Sequence, residues 1–129
     1  MGWLGPGPKV WASWEIPATP LRLQRILQGS HVIIILGSVQ VAPEHRDAAI
    51  ALGLEHSARS RGEPGCLAHD CHIDAAAGCK LVFVERWADM AAVRAHFAVP
   101  ASGDFVQRMT VMATEPPHMR LYEASERTS

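Results

Sequence analysis

Residues 62–74 read Gly-Glu-Pro-Gly-Cys-Leu-Ala-His-Asp-Cys-His-Ile-Asp, residues 80–87 Lys-Leu-Val-Phe-Val-Glu-Arg-Trp, and residues 88–97 Ala-Asp-Met-Ala-Ala-Val-Arg-Ala-His-Phe. This is a turn, a strand, a hairpin, a second strand and an amphipathic helix with almost no slack. Alternation puts Cys66, Ala68, Asp70 and His72 on one face of the first strand and Leu67, His69, Cys71 and Ile73 on the other. Both faces carry polar groups, which is unusual for a strand that only builds core. Asp74 to Gly78 is the hairpin loop. On the next strand Leu81, Phe83, Glu85 and Trp87 share a face, opposite Val82, Val84 and Arg86. Asp89 is the expected N-cap of the helix, and Met90, Val93 and Phe97 keep the helical period with His96 at the edge of that stripe.

Outward from this stretch the pattern continues. Val32-Ile-Ile-Ile-Leu36 lies in a strand predicted over His31–Val41, apolar and β-branched throughout. Pro43 opens a helix whose predicted stripe is Ile50, Leu54 and Ala58, with Ala49 and Leu52 beside it. Ser102 or Asp104 caps a further helix carrying Phe105, Met109 and Met112. Pro116-Pro117 ends it, and His118–Ala124 is a last strand. The order strand, helix, strand, strand, helix, helix, strand is an α+β, ferredoxin-like split βαβ arrangement. Residues 31–125 form this domain and 126–129 a polar tail. Residues 1–30 form an N-terminal arm rich in Trp and Pro, either disordered or docked on this subunit or a partner. A sheet with helices on one face leaves its other apolar face to be covered. A second copy is the expected cover, giving a homodimer packed sheet to sheet.

Composition narrows the functions. The chain has 129 residues, 12 Lys plus Arg and 13 Asp plus Glu, a net charge of −1. No basic face is available to displace phosphate counterions, so nucleic acid is not an expected partner. No apolar run approaches the ~20 residues of a membrane-spanning helix, and no signal-peptide pattern appears. A cytoplasmic protein is expected. Three cysteines without paired spacing suit neither a disulfide framework nor a structural zinc site, so no metal ligand set is expected. Nucleotide, phosphate and nucleophile-elbow motifs are missing.

Glu63-Pro-Gly-Cys-Leu, Glu85-Arg-Trp-Ala-Asp and Ala95-His96-Phe97 together resemble the antibiotic biosynthesis monooxygenase (ABM) family, including its quinol monooxygenase branch. The resemblance spans about Val32 to Glu123. It implies a dimeric α+β barrel with a pocket between sheet and helices. It implies oxidation of phenols, quinols or anthrones by O2 as co-substrate, with no metal, flavin or haem cofactor. Other members of the family isomerise or only bind small molecules, so an isomerase and a non-catalytic binding dimer are the alternatives. One departure stands out: the histidine many relatives carry just after the helix is absent from Val99-Pro-Ala-Ser-Gly-Asp-Phe105. Nor is a haem-ligating histidine matched, which argues against the haem-degrading branch.

Within that frame His96 is the first candidate base, because a neutral imidazole accepts a proton from a phenol near neutral pH. His72 is the second, oriented by Asp70 two residues away. His69, on the opposite strand face, is expected to be structural or at the dimer contact. Trp87 offers a flat wall and an indole N–H for a small aromatic substrate. Glu85 would hold a substrate hydroxyl or pair with a basic group. Phe83, Phe105 and Met109 would shape the pocket.

Overall fold

The computed structural model describes residues 31–127. The predicted N-terminal arm and the end of the tail lie outside the described residues. Strand β1 (His31–Gln40) leads through a single 3-10 turn (Pro43–His45) into helix α1 (Arg46–Ser60). Strands β2 (Cys66–Asp74) and β3 (Ala77–Trp87) form a hairpin, followed by α2 (Met90–Ala98), α3 (Pro100–Met112) and β4 (His118–Ser125). The sheet order is β2-β3-β1-β4, with every neighbouring pair antiparallel. This is the ferredoxin-like α+β fold expected from the sequence.

The helices cover one sheet face. Two apolar clusters form there. One joins Val39, Val41, Ala49, Leu52, Leu81, Phe83 and Met109 between α1, α3 and the sheet. The other joins Ile33, Ile35, Trp87 and Val93 beneath α2. Each large buried side chain in them contributes roughly 1.5–3 kcal/mol of transfer free energy. Gly53 lets α1 approach the sheet: a Cβ there would stand 2.8 Å from Cys71 Sγ and 3.1 Å from Phe83 Cζ.

Four local expectations are corrected. The buried face of α1 is Ala49, Leu52, Gly53, His56, Ser57 and Ser60, while Leu54 is 52 % exposed. The helix is rotated toward its small and polar residues because only they fit close to the sheet. On α2, His96 is buried and Phe97 is 47 % exposed, the reverse of the predicted stripe. The β2–β3 register shifts between Cys66 and Ala68. This irregularity lets both Cys66 and His69 face the helices and leaves Leu67 exposed. Neither Ser102 nor Asp104 caps α3. It starts at Pro100 with Val99 as N-cap and no side-chain cap bond. Asp89 does cap α2, its Oδ1 accepting from the Ala92 N–H at 2.8 Å.

Candidate active site

The Glu63-Pro-Gly turn and helix α2 build the first half of the site. Gly65 sits at φ +83°, a left-handed conformation that favours glycine, and its missing Cβ leaves room for Ala92. The Ala88 N–H donates to the Gly65 carbonyl at 2.8 Å, pinning the turn to the start of α2. So held, the Glu63 carboxylate accepts from His96 Nδ1 at 2.8 Å. His96 is 3 % exposed. The ring therefore carries a hydrogen on Nδ1, so that in its neutral form the lone pair is on Nε2.

Helix α1 supplies the second half. His56, 4 % exposed, lies flat against Phe105 of α3, with ring centroids 3.8 Å apart and planes 2° from parallel. Its Nδ1 accepts from Arg59 Nη2 at 2.7 Å. His69 of β2 is fully buried and hydrogen-bonded through Nδ1 to Ser57 Oγ at 2.9 Å. Its Nε2 lies 3.5 Å from Glu85 Oε2 and has no hydrogen-bond partner among the described residues. Glu85 in turn accepts from the Trp87 indole N–H at 2.8 Å. The polar cluster thus sits between the two apolar clusters, with His69 edge-on to both Phe83 and Trp87.

Burial is the main force on the titratable groups. It pushes His56 down to about 3, assisted by the nearby His69, His96 and Arg59. It pushes His69 down to about 4, assisted by His96 and Arg61. Both rings are neutral at neutral pH. Burial raises the Glu85 carboxyl, partly offset by the Trp87 donor.

A cavity of about 360 Å³ opens against this cluster. His56, His96 and Glu85 form its polar end, and Phe83, Phe105 and Met109 its apolar wall. Gly37 of β1 adds floor without a side chain, and Ser102 contributes a buried hydroxyl with no partner among the described residues. The hollow suits one small, flat, mostly apolar molecule with few polar groups.

The sequence model of the family described as "Antibiotic biosynthesis monooxygenase" matches residues 32–108. The chain belongs to the antibiotic biosynthesis monooxygenase family. An uncharacterized protein of Synechocystis sp. is 29 % identical over 94 residues, 73 % of this chain and 64 % of that protein. This chain thus spans under two thirds of that relative's length. Among solved structures, an antibiotic biosynthesis monooxygenase is 26 % identical at a TM-score of 0.68, covering 73 % of this chain and 99 % of its own. Rv0793 from Mycobacterium tuberculosis shares the fold at a TM-score of 0.70 and 22 % identity, covering 76 % of this chain and 99 % of its own.

The ABM pocket gathers some of the sequence-predicted residues and leaves others out. His96, Glu85, Phe83, Phe105 and Met109 all line it. His72 is exposed on the strand face turned away from the helices. Asp70 pairs with Arg61 at 3.3 Å instead of orienting that histidine. The His72–Asp70 pair is therefore remote from the cavity, because β2 turns His69, Cys71 and Ile73 toward the helices. Trp87 is fully buried among Ile33, Ile35 and Val93, and its N–H is already bound to Glu85. It supports the site from behind and is not its wall. His69, expected to be structural or at a dimer contact, lies inside the helix-covered core. The sequence reading missed His56, Arg59, Glu63 as the partner of His96, and Ser102. His56 sits one helical turn before Ser60 and two after Ala49, a spacing that marks the buried face once small residues are counted as interior.

One ring nitrogen each of His56, His69 and His96 lie within 4.8 Å of one another, a spacing that could admit a metal ion. The donor chemistry opposes it. His96 has the carboxylate–imidazole arrangement of a ligand, but His56 gives its Nδ1 lone pair to a guanidinium and carries its hydrogen on Nε2. A metal would have to break that bond beside a fixed positive charge.

Proposed function

We propose that the protein is a cofactor-independent monooxygenase that oxidises a small electron-rich aromatic, a phenol, quinol or anthrone, with O2 as co-substrate. The observation that carries this reading is the His96–Glu63 pair at the polar end of an apolar cavity. Glu63 fixes the tautomer and would stabilise the imidazolium that forms when Nε2 takes the substrate proton. The resulting anion, in a cavity walled by Phe83, Phe105 and Met109, is poorly solvated and hence a better electron donor to O2. The substrate provides all the electrons that O2 takes up. One oxygen atom stays on the ring and the other leaves as water. The unpartnered Ser102 hydroxyl is placed to bind a second polar group of the substrate. Glu85, whose carboxyl burial raises, also lines the cavity as a polar anchor. Family membership and the chain's lack of nucleotide or flavin motifs support the cofactor-free assignment. The same reading makes the active form a homodimer and places it in the cytoplasm, where three free cysteines stay reduced.

The test is oxygen uptake by metal-free protein with a panel of quinols, phenols and anthrones. Turnover with at least one class is expected, falling about 10²–10⁴-fold in His96→Ala. Uptake with none, or uptake indifferent to His96→Ala, refutes the reading. Product formation that persists without oxygen assigns the same base to an isomerase.

A further inference from the structure

His56 and His96 face one cavity with their hydrogens set on opposite nitrogens. The Glu63 carboxylate accepts from His96 Nδ1 at 2.8 Å, so the neutral His96 ring has its lone pair on Nε2. A guanidinium only donates, so the 2.7 Å contact from Arg59 Nη2 makes His56 Nδ1 the acceptor and puts the ring's hydrogen on Nε2. Two oppositely charged partners thus prepare two opposite tautomers. With both Nδ1 atoms engaged, the nitrogens left for a ligand are Nε2 of each. The two rings line one cavity with centroids 5.3 Å apart, and one nitrogen of each lies within 4.8 Å of the other, close enough for a single ligand oxygen to reach both rings.

We propose that His56 is a second catalytic residue, a neutral donor whose Nε2–H holds the substrate oxygen while His96 takes its proton, and that Arg59 is the positioning residue fixing the His56 tautomer. The proposal rests on the reading above only in taking the substrate to carry an acidic hydroxyl or its enol equivalent. In the step, the substrate O–H bond breaks and an Nε2–H bond forms on His96, with the electron pair left on oxygen. Glu63 balances the new imidazolium. The oxyanion then accepts from His56 and from the protonated His96. The surroundings keep His56 in its role. Phe105 holds the ring flat. Arg59 on its own helix, His69 from β2 and His96 from α2 all oppose a charge on it, and Glu85 from β3 shares the polar end of the cavity.

Two measurements on the full chain test this without any oxygenase turnover. Long-range proton–nitrogen NMR of histidine-labelled protein reads each tautomer directly. The expected result is Nε2–H for His56 and Nδ1–H for His96. Arg59→Met should mix the His56 tautomers and leave His96 unchanged. The second probe is 4-nitrophenol, whose anion absorbs visible light. Bound to wild type it should ionise at lower pH than when free. His56→Phe, which keeps the stack on Phe105, should weaken the preference for the anion about 10- to 100-fold. His56→Gln, which restores an N–H, should recover part of it. An Nδ1–H tautomer for His56 in wild type overturns the proposal. So does nitrophenol that fails to bind, binds without a change in ionisation, or ionises equally well in folded His56→Phe. A protein that passes both tests yet consumes no oxygen keeps this proposal and loses the monooxygenase reading.

Discussion

At the scale of single residues, the site is a set of side chains that fix one another's protons. Trp87 shows the difference between supporting and lining. Trp87→Phe keeps the packing and leaves Glu85 without its donor. The expected loss is about 1–3 kcal/mol of stability by denaturant unfolding, with little change in KM, because Trp87 does not reach the cavity. A tenfold rise in KM at unchanged stability would return Trp87 to the cavity wall. The neutral histidines give a second prediction. His56 and His69 have folded-state values of about 3 and about 4, below an unfolded value of ~6.5. The unfolded chain takes up their protons first as pH falls. Their stabilising contribution is full above ~6.5 and is lost on acidification toward those folded values, by up to about 1.4 kcal/mol per pH unit for each ring. Glu85, raised by burial, works in the opposite sense and softens the slope. Urea midpoints measured from neutral pH downward should fall steeply in wild type and by about one proton less in His56→Phe. A flat wild-type profile would mean that the two rings are solvated.

At the scale of elements, the fold was legible in the sequence because hydropathic alternation and turn residues mark where strands and helices begin and end. The β1, β2, β3 and β4 segments, the Asp89 cap and the Phe105–Met109–Met112 face all follow from such marks. Half of the site did not. His56 was hidden because a hydropathy stripe prefers Leu54, whereas the close approach of α1 to the sheet selects Gly53 and Ser57. Glu63 was hidden because a carboxylate in a turn has no periodicity, and its partner lies 33 positions away in sequence. Strand alternation correctly set His72 and Asp70 against His69. It could not say which face the helices cover. The Gly65 turn joins the two halves. Gly65→Ala brings a Cβ within 2.5 Å of Ala92 Cβ at a φ that L-residues avoid. It is expected to cost about 1–3 kcal/mol and to reduce turnover by shifting Glu63 from His96. Thermal melts with the NMR tautomer of His96 would check both, and an unchanged His96 signal would uncouple the turn from the base.

At the scale of the molecule, the uncovered sheet face presents Ile34, Leu36, Val82, Val84 and Tyr122, with Leu36 and Tyr122 44 % and 46 % exposed. Apolar side chains clustered on an open sheet are a common association surface. Light scattering should give twice the chain mass for wild type and the single-chain mass for Leu36→Glu. A monomeric wild type would refute sheet-to-sheet pairing. Among the described residues no helix is long and apolar enough to cross a membrane.

Gly37 lies in the floor of the hollow, and among the described residues a Cβ added there would meet only His118 O at 3.7 Å and Phe83 Cβ at 3.8 Å, ordinary contact distances. Its backbone is free of the left-handed strain seen at Gly65. The capacity of the chamber is therefore adjustable from below, by one carbon and then by two more, while every proton-carrying group stays where it is. Replacing this position with alanine and then valine would trim the range of guests from multi-ring to single-ring aromatics, a handle for redesign that leaves the chemistry alone.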